Sequence, residues 1–116
     1  MGDDVIKRKA LIIGSSQYKD KFYTLKDKLE LGGYEVKMTA FDFHPELDDL
    51  GVCQYNKDLI LWSDIVFIIW DARSSGTIFD MGMVFMANKP LVISYIESKT
   101  FAGVFSKYAE GWQGIA

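Results

Sequence analysis

Short apolar runs alternate along the chain with longer stretches in which apolar and polar residues recur at helical spacing. The runs that predict strands cover residues 10–14, 34–41, 65–70 and 91–96. Strands that alternate with helices in this way predict βαβ units and a parallel sheet. The run at 65–70 is the most apolar and the most β-branched, which indicates an interior strand buried on both faces. The alternating run at 34–41 indicates a strand nearer an edge of the sheet.

The stretches between and after these runs predict helices over residues 20–31, 52–63, 76–88 and 100–110. In the first of them, Phe22, Leu25 and Leu29 recur at helical spacing, with lysines and acidic residues on the other face. Two glycines at 32–33 end that helix, and the Lys-Pro pair at 89–90 ends the third. Residues 15–17 are expected to form a turn and residues 42–51 an acidic loop.

Four strands joined by right-handed crossovers predict the fold class α/β, as a three-layer sandwich of the flavodoxin-like or Rossmann-like type. The sheet is expected to be mostly parallel and four- or five-stranded, with strand order 2-1-3-4. In that order the loops after Gly14 and Trp70 face each other at the switch point where open α/β sheets bind ligands. Residues 1–116 are predicted to form a single domain.

Composition restricts the classes of partner. The chain is 49% hydrophobic and 25% charged, with a net charge of −3, which indicates a globular protein without the basic face that a nucleic acid duplex requires. One cysteine, Cys53, and one histidine, His44, provide no disulfide and no zinc-ligand spacing, so we expect neither metal nor cofactor. No apolar run approaches the ~20 residues of a membrane span, and no signal peptide pattern follows the acidic residues 3–4. We therefore expect a cytoplasmic protein with no membrane partner.

Polar residues follow the first predicted strand. Ser15, Ser16 and Gln17 supply hydroxyl and backbone N–H groups near the start of a helix. They are consistent with a cradle for a phosphate or a hydroxyl group, and equally with an ordinary polar turn that caps the helix. They match neither the Walker loop nor G-x-G-x-x-G, so a triphosphate or dinucleotide site is not supported.

Acidic residues lie in and near the loop after the third strand. Asp71 directly follows that strand, and Asp80 lies in the next helix among apolar residues. An acid inside an apolar helix is paired, hydrogen-bonded or functional, although the helix dipole alone also favours an acid near a helix start. Asp58 in the second helix is either solvated or functional, and Arg73 is either an anion clamp or an exposed loop residue.

The third helix has apolar residues on every side. In a chain of 116 residues one side of such a helix should reach the surface. Phe79, Met83, Phe85 or Met86 would then form a contact with a second copy of the chain. We therefore expect a homodimer or a larger homo-oligomer.

The run S-G-T-I-F-D-M-G at residues 75–82, preceded by Asp71 and followed by A-N-K-P-L-V at 87–92, resembles a known family. This is the nucleoside 2-deoxyribosyltransferase family, which includes the 2′-deoxynucleoside 5′-phosphate N-hydrolases. Its pattern is an Asp after a strand, S-G-T-x-x-E-[LI]-G, a helix rich in small residues, and G-K-P-[VI]. The resemblance covers residues 58–93 and, loosely, the turn at 14–15.

The resemblance implies a small α/β domain, often a dimer or larger, that acts on a nucleoside or nucleotide. The reaction is cleavage or transfer at the N-glycosidic bond of a 2′-deoxynucleoside or its 5′-monophosphate. A carboxylate nucleophile forms a covalent deoxyribosyl ester through an oxocarbenium-like transition state, and water or a second base resolves it.

The same resemblance assigns roles to residues. Asp80 falls on the nucleophile, and Asp71 on an acid that orients the substrate or assists departure of the base. Asp58 could match a helix-borne acid of the hydrolase branch, but its spacing to Asp80 is two residues shorter than in that branch. Ser15, Arg73 and Ser75 are candidates for the sugar 5′ group or phosphate. The full set of predicted substrate-binding residues is Gly14, Ser15, Ser16, Gln17, Arg73, Ser74, Ser75, Gly76 and Thr77.

The chain departs from the family pattern at Asp80, where the family has the longer Glu. The loop would have to lie closer to C1′, water could attack with Asp80 as base, or the site could bind without cleaving. A second resemblance, of W-D-A-R-S-S-G-T at 70–77 to the W-D-G-x-S-x-G-T loop of SLOG-type nucleotide-binding domains, favours binding or sensing. A structural domain whose acids only cap a helix is the third interpretation.

Overall fold

The computed structural model describes residues 6–39, 46–71, 74–96 and 101–111. The strands are β1 (Lys9–Gly14), β2 (Glu35–Met38), β3 (Ile65–Trp70) and β4 (Leu91–Ile96). The helices are α1 (Lys19–Leu31), α2 (Asp49–Trp62), α3 (Ser75–Met86) and α4 (Phe101–Glu110), and a short 3₁₀ helix (Ser16–Tyr18) precedes α1. No helix in these parts of the chain is both long enough and apolar enough to cross a lipid bilayer.

The four strands of the described residues form one parallel sheet in the order β2-β1-β3-β4. This confirms the predicted fold class and strand order. Ala10 of β1 pairs with Val36 of β2 on one side and with Ile65 of β3 on the other. The register between β3 and β4 shifts between Ile68 and Ile69. As predicted, β3 is an interior strand and β2 lies at an edge.

Both faces of β1 and β3 are covered by helices, which explains their unbroken apolar sequences. On one face the core joins the sheet to α2 and α3 and contains Leu11, Ile13, Leu59, Ile60, Val66, Ile68 and Val84. On the other face it joins the sheet to α1 and contains Ala10, Ile12, Phe22, Leu29, Phe67 and Ile69. The site-bearing loops therefore extend from a rigid centre.

Several element boundaries differ from the prediction because capping side chains move them. Helix α2 begins at Asp49 rather than at residue 52, since Asp48 Oδ1 accepts a hydrogen bond from the Gly51 N–H at 2.7 Å. Residues 15–17 do not form a simple turn, because Ser15 caps a 3₁₀ helix. Strand β2 ends at Met38, and residues 40–45, which include His44 and most of the predicted continuation, lie outside the described residues.

Two adjacent residues shape the connection between α3 and β4. Asn88 has a φ of 56°, a left-handed conformation that asparagine tolerates, and it ends the helix two residues earlier than predicted. Lys89 Nζ donates to the carbonyl oxygens of Leu61, at 3.2 Å, and Ser63, at 2.8 Å. These carbonyls belong to the last turn and the cap of α2, so one lysine joins two elements.

Gly14 allows the carboxyl end of β1 to lie against β3. A Cβ atom at this position would be 2.9 Å from the Ile69 carbonyl oxygen and 3.1 Å from Cε2 of Phe22. No larger residue fits without displacing backbone, so the glycine sets how closely the loops after β1 and β3 approach each other.

Candidate functional site

A cavity of about 510 Å³ opens at the carboxyl edge of the sheet. It lies between the ends of β1 and β2 and the amino-terminal halves of α2 and α3. Its lining comprises Gly14, Ser15, Ser16, Thr39, Val52, Cys53, Asn56, Ser74, Ser75, Gly76, Thr77, Phe79 and Asp80. The volume falls within the range of small-molecule sites, and the position is the switch point of the sheet.

The structure brings most of the predicted site residues together and leaves others elsewhere. Those that line the cavity are Gly14, Ser15, Ser16, Ser74, Ser75, Gly76, Thr77 and Asp80. Gln17 and Asp71 lie beside it without lining it, and Asp58 is exposed on the outer side of α2. Arg73 lies outside the described residues.

Asp80 is the one charged side chain among the described residues that line the cavity. It is only 7% exposed, and its Oδ2 accepts a hydrogen bond from Asn56 Nδ2 at 3.4 Å. Its Oδ1 accepts no hydrogen bond from the described residues. Burial raises the pKa of Asp80 from 3.8 to about 6, and the Asn56 hydrogen bond partly opposes that rise. The site therefore contains a carboxylate that titrates close to neutral pH.

Asp71 is buried, and its hydrogen bonds connect the loops beside the cavity. Its Oδ1 accepts from the Ser74 N–H at 2.9 Å, and its Oδ2 accepts from Gln17 Nε2 at 3.1 Å. The first bond shapes the loop that enters α3, and the second joins that loop to the segment after β1. Of the two acids, Asp80 therefore lines the cavity, whereas both oxygens of Asp71 have partners elsewhere.

The amino terminus of α3 forms the polar end of the cavity. Ser74 is the N-cap, and its Oγ accepts from the Thr77 N–H at 3.4 Å and from Thr77 Oγ1 at 3.0 Å. The N–H groups of Ser75 and Gly76 belong to the first turn, which has no acceptors within the helix. Together with the hydroxyl groups of Ser15 and Ser16, this end suits an anion or a sugar hydroxyl.

The cavity also contains residues that the sequence analysis missed, namely Thr39, Val52, Cys53, Asn56 and Phe79. Asn56 had a signal, because it lies two positions before Asp58 and so has the spacing to Asp80 that the hydrolase branch shows for its helix-borne acid. Thr39 had none. It is buried just after β2, and its Oγ1 has no hydrogen-bond partner in the described parts of the chain.

No protein-family model and no curated protein matches the chain. A functional proposal therefore rests on the cavity and on the resemblance of residues 75–82 given above.

Proposed function

We propose that the protein cleaves or transfers the N-glycosidic bond of a 2′-deoxynucleoside or its 5′-monophosphate, with Asp80 as the nucleophile. The observation that supports this most is a buried carboxylate in the wall of a ligand-sized cavity, about one and a half turns from the amino terminus of α3. The resemblance of residues 75–82 to the deoxyribosyltransferase motif places the family's nucleophile at the same residue.

In the proposed reaction, ionised Asp80 attacks C1′ while the C1′–N bond breaks and its electron pair leaves with the base. The product is an ester between Asp80 and the sugar, which water or a second base then attacks, so that the carboxylate is regenerated. The positive charge on the sugar in the transition state favours a substrate without an electron-withdrawing 2′-hydroxyl. Asn56 holds Oδ2, so Oδ1 is the oxygen available for attack.

The lining of the cavity suggests how the substrate lies. The serine hydroxyls and the N–H groups at the start of α3 suit the sugar 5′ group or its phosphate, because a helix amino terminus favours negative charge. The part of the lining that comes from the end of β2 and from α2, with Thr39, Val52 and Cys53, is left for the base. In this arrangement C1′ is close to Asp80, which lies in α3 and is hydrogen-bonded to Asn56 of α2.

A second candidate function is a nucleotide-binding module without turnover. Two residues favour it: Asp80 is one methylene shorter than the family's Glu, and Asn56 offers an amide at the spacing where the hydrolase branch has an acid. An amide cannot supply a proton to the leaving base as a carboxylic acid can. A misplacement of about 1 Å at the reacting atoms lowers a rate on the order of 10²-fold, so these changes would suppress chemistry before they suppress binding.

The test is to incubate the purified protein with deoxynucleosides and deoxynucleoside monophosphates and to measure released base by chromatography. We expect release by the wild type and by Asp27→Ala, which removes an exposed acid of α1, and no release by Asp80→Ala. Saturable binding without release would support the binding module instead. If the protein showed no binding and no release, both functions would be contradicted.

A further inference from the structure

The face of the sheet that α1 covers is wide enough for a second helix. Four strands about 4.8 Å apart make a sheet roughly 19 Å wide, and a helix with its side chains is about 10 Å across, so one face holds two helices side by side. Helices α2 and α3 lie together on one face, whereas the core on the other face joins the sheet to α1 alone among the described helices. A strip about one helix wide is therefore open on the α1 face.

The open strip lies over β3 and β4. Val92 is paired in register with Phe67, which belongs to the core under α1, and Val92 is 40% exposed on that face. Beside it is a groove of about 180 Å³, which we call the α1 groove. Side chains from α1, β3 and β4 line it, namely Lys21, Thr24, Leu25, Lys28, Ile69 and Ser94.

Strand β4 also lacks the protection that sheet edges usually have. Strand β2, at the other edge, is four residues long and carries Glu35 and Lys37. Strand β4 is six residues long and has no charged side chain. Natural proteins keep edge strands short or charged, or cover them with another element. An uncharged edge strand next to an open groove therefore indicates that a further element covers this part of the sheet.

Two lysines determine which kind of helix fits the α1 groove. Lys21 and Lys28 line it, and no acidic residue does so in the described parts of the chain, since Asp27 and Glu30 of α1 line a separate depression. The two lysines are seven positions apart, which is about 10 Å along a helix. A helix packed beside α1 meets both of them with acidic residues at the same spacing, as flanking charges do in coiled coils.

A second copy of the chain does not offer such a helix among its described residues. Helices α1 and α2 bury their apolar sides in their own core, and α4 has one acidic residue, Glu110. Helix α3 exposes Phe85 and Met86 but no acid, because its one charged residue, Asp80, is buried. Met83, expected in a surface contact, packs partly buried against the core instead. A homo-oligomer formed through α3 stays a prediction and uses the other face of the sheet.

We propose that the α1 groove binds an amphipathic helix of another protein. The apolar stripe of that helix packs against Leu25, Ile69 and Val92. Its acidic residues, spaced seven apart, lie beside Lys21 and Lys28. The groove shares no lining residue with the cavity at the carboxyl edge of the sheet, so this inference does not depend on which reaction, if any, the cavity carries out.

The test uses two synthetic peptides of about 18 residues, long enough to form a helix, with leucines at helical spacing along one side. One peptide has glutamates seven residues apart beside the leucines, and the other has lysines at the same positions. Fluorescence anisotropy of each labelled peptide, titrated with the wild-type protein at low salt, gives the dissociation constant. We expect about 10–100 µM for the glutamate peptide and about tenfold weaker binding of the lysine peptide. Equal binding of the two, or no saturable binding of the glutamate peptide below about 1 mM, would overturn the proposal.

Charge reversal in the protein supplies a matched control. The double variant Lys21→Glu/Lys28→Glu reverses the charge of the groove, and Lys7→Glu/Lys57→Glu makes the same change in net charge at two exposed lysines outside it. We expect the first variant to prefer the lysine peptide by about tenfold and the second to prefer the glutamate peptide, as the wild type does. If both variants had the same preference, net charge rather than the groove would select the peptide, and the proposal would be wrong.

Ser94→Trp tests the groove without a change of charge. Ser94 is exposed, so the larger ring fills the groove without entering the core, and circular dichroism and urea unfolding should match the wild type. We expect the glutamate peptide to bind this variant about tenfold more weakly and to bind Phe85→Trp, which changes an exposed residue of α3, as tightly as the wild type. Unchanged binding to Ser94→Trp would place the peptide elsewhere and contradict the proposal.

Discussion

Asp80 is held in a position that disfavours its charged form, and this has opposite consequences for stability and for chemistry. The pKa of Asp80 rises from 3.8 to about 6 because burial removes water from the carboxylate. Between these two pH values the folded protein keeps a proton that the unfolded chain has lost. The free energy of unfolding therefore falls as the pH rises through this window, and the loss is complete above pH 6.

Asp80→Asn removes the ionisation and should stabilise the protein at neutral pH. A shift of this size corresponds to at most about 3 kcal/mol, so we expect Asp80→Asn to gain on the order of 1–3 kcal/mol over the wild type at pH 7 and almost nothing at pH 4. Urea unfolding of both proteins at several pH values measures the difference. A gain in the free energy of unfolding that did not change with pH would mean that burial does not raise the pKa of this carboxyl.

The same titration predicts a pH dependence for the proposed reaction. Attack at C1′ needs the ionised form of Asp80, so base release should increase as the pH rises through about 6. The wild type would then be most active in the pH range in which this residue stabilises it least.

Thr39 also lines the cavity, and its buried hydroxyl has no hydrogen-bond partner among the residues that the structure describes. A buried hydroxyl without a partner costs on the order of 1–3 kcal/mol, and Thr39→Val keeps the shape while removing the hydroxyl. We expect the variant to unfold at higher urea concentration and, in an Asp80→Ala background that prevents turnover, to bind deoxynucleoside monophosphates about tenfold more weakly. Thr24→Val, at an exposed position of α1, is the control. Weaker binding without a gain in stability would mean that the hydroxyl already has a partner in the free protein.

At the scale of elements, the cavity depends on how the loops after β1 and β3 are joined. Gly14 sets their approach, and the hydrogen bond from Gln17 to Asp71 links them across 54 residues of sequence. A second bond from Asp71 fixes Ser74, the residue that caps α3. Asp71 thus positions the helix whose first turn forms the polar end of the cavity.

This arrangement predicts that Asp71 acts by position and not as an acid. Asp71→Asn keeps an oxygen for the Ser74 N–H, and its amide can donate to Gln17 Oε1 once the Gln17 amide turns by 180°, so we expect at most about 1 kcal/mol of lost stability and base release close to that of the wild type. Asp71→Ala removes both bonds, and we expect it to lose on the order of 1–3 kcal/mol in urea unfolding and to release base more slowly. If Asp71 were needed as an acid, Asp71→Asn would keep its stability but release no base.

At the scale of the whole molecule, the sequence predicted the architecture well because the strands have clear limits. β3 and β4 begin and end at the predicted residues, since each is an apolar run bounded by polar or turn-forming residues. The limits of α2 and β2 were less accurate, because Asp48 caps a helix from within an acidic segment and because β2 is short.

The candidate site was only partly predictable. The residues on the loops after β1 and β3 follow from strand order, because parallel strands end at the same edge of a sheet. The wall contributed by α2 does not, since Val52, Cys53 and Asn56 are brought to the cavity by the packing of two helices. The hydrogen bond between Gln17 and Asp71 was also not predictable, because the two residues follow different strands and nothing in the sequence near residue 71 indicates the contact.

The contacts of Lys89 change what the Lys-Pro pair of this chain signifies. The ammonium group donates hydrogen bonds to the carbonyl oxygens of Leu61 and Ser63. Carbonyl groups at the carboxyl end of a helix have no donor within the helix, and Lys89 supplies one. The pair therefore has a structural role in this chain, because it completes the end of α2 and precedes the edge strand β4. A protein that shares only this pair with the chain need not share its activity. A shared activity has to be judged from the stretch at 75–82, which is the part of the pattern that lines the cavity.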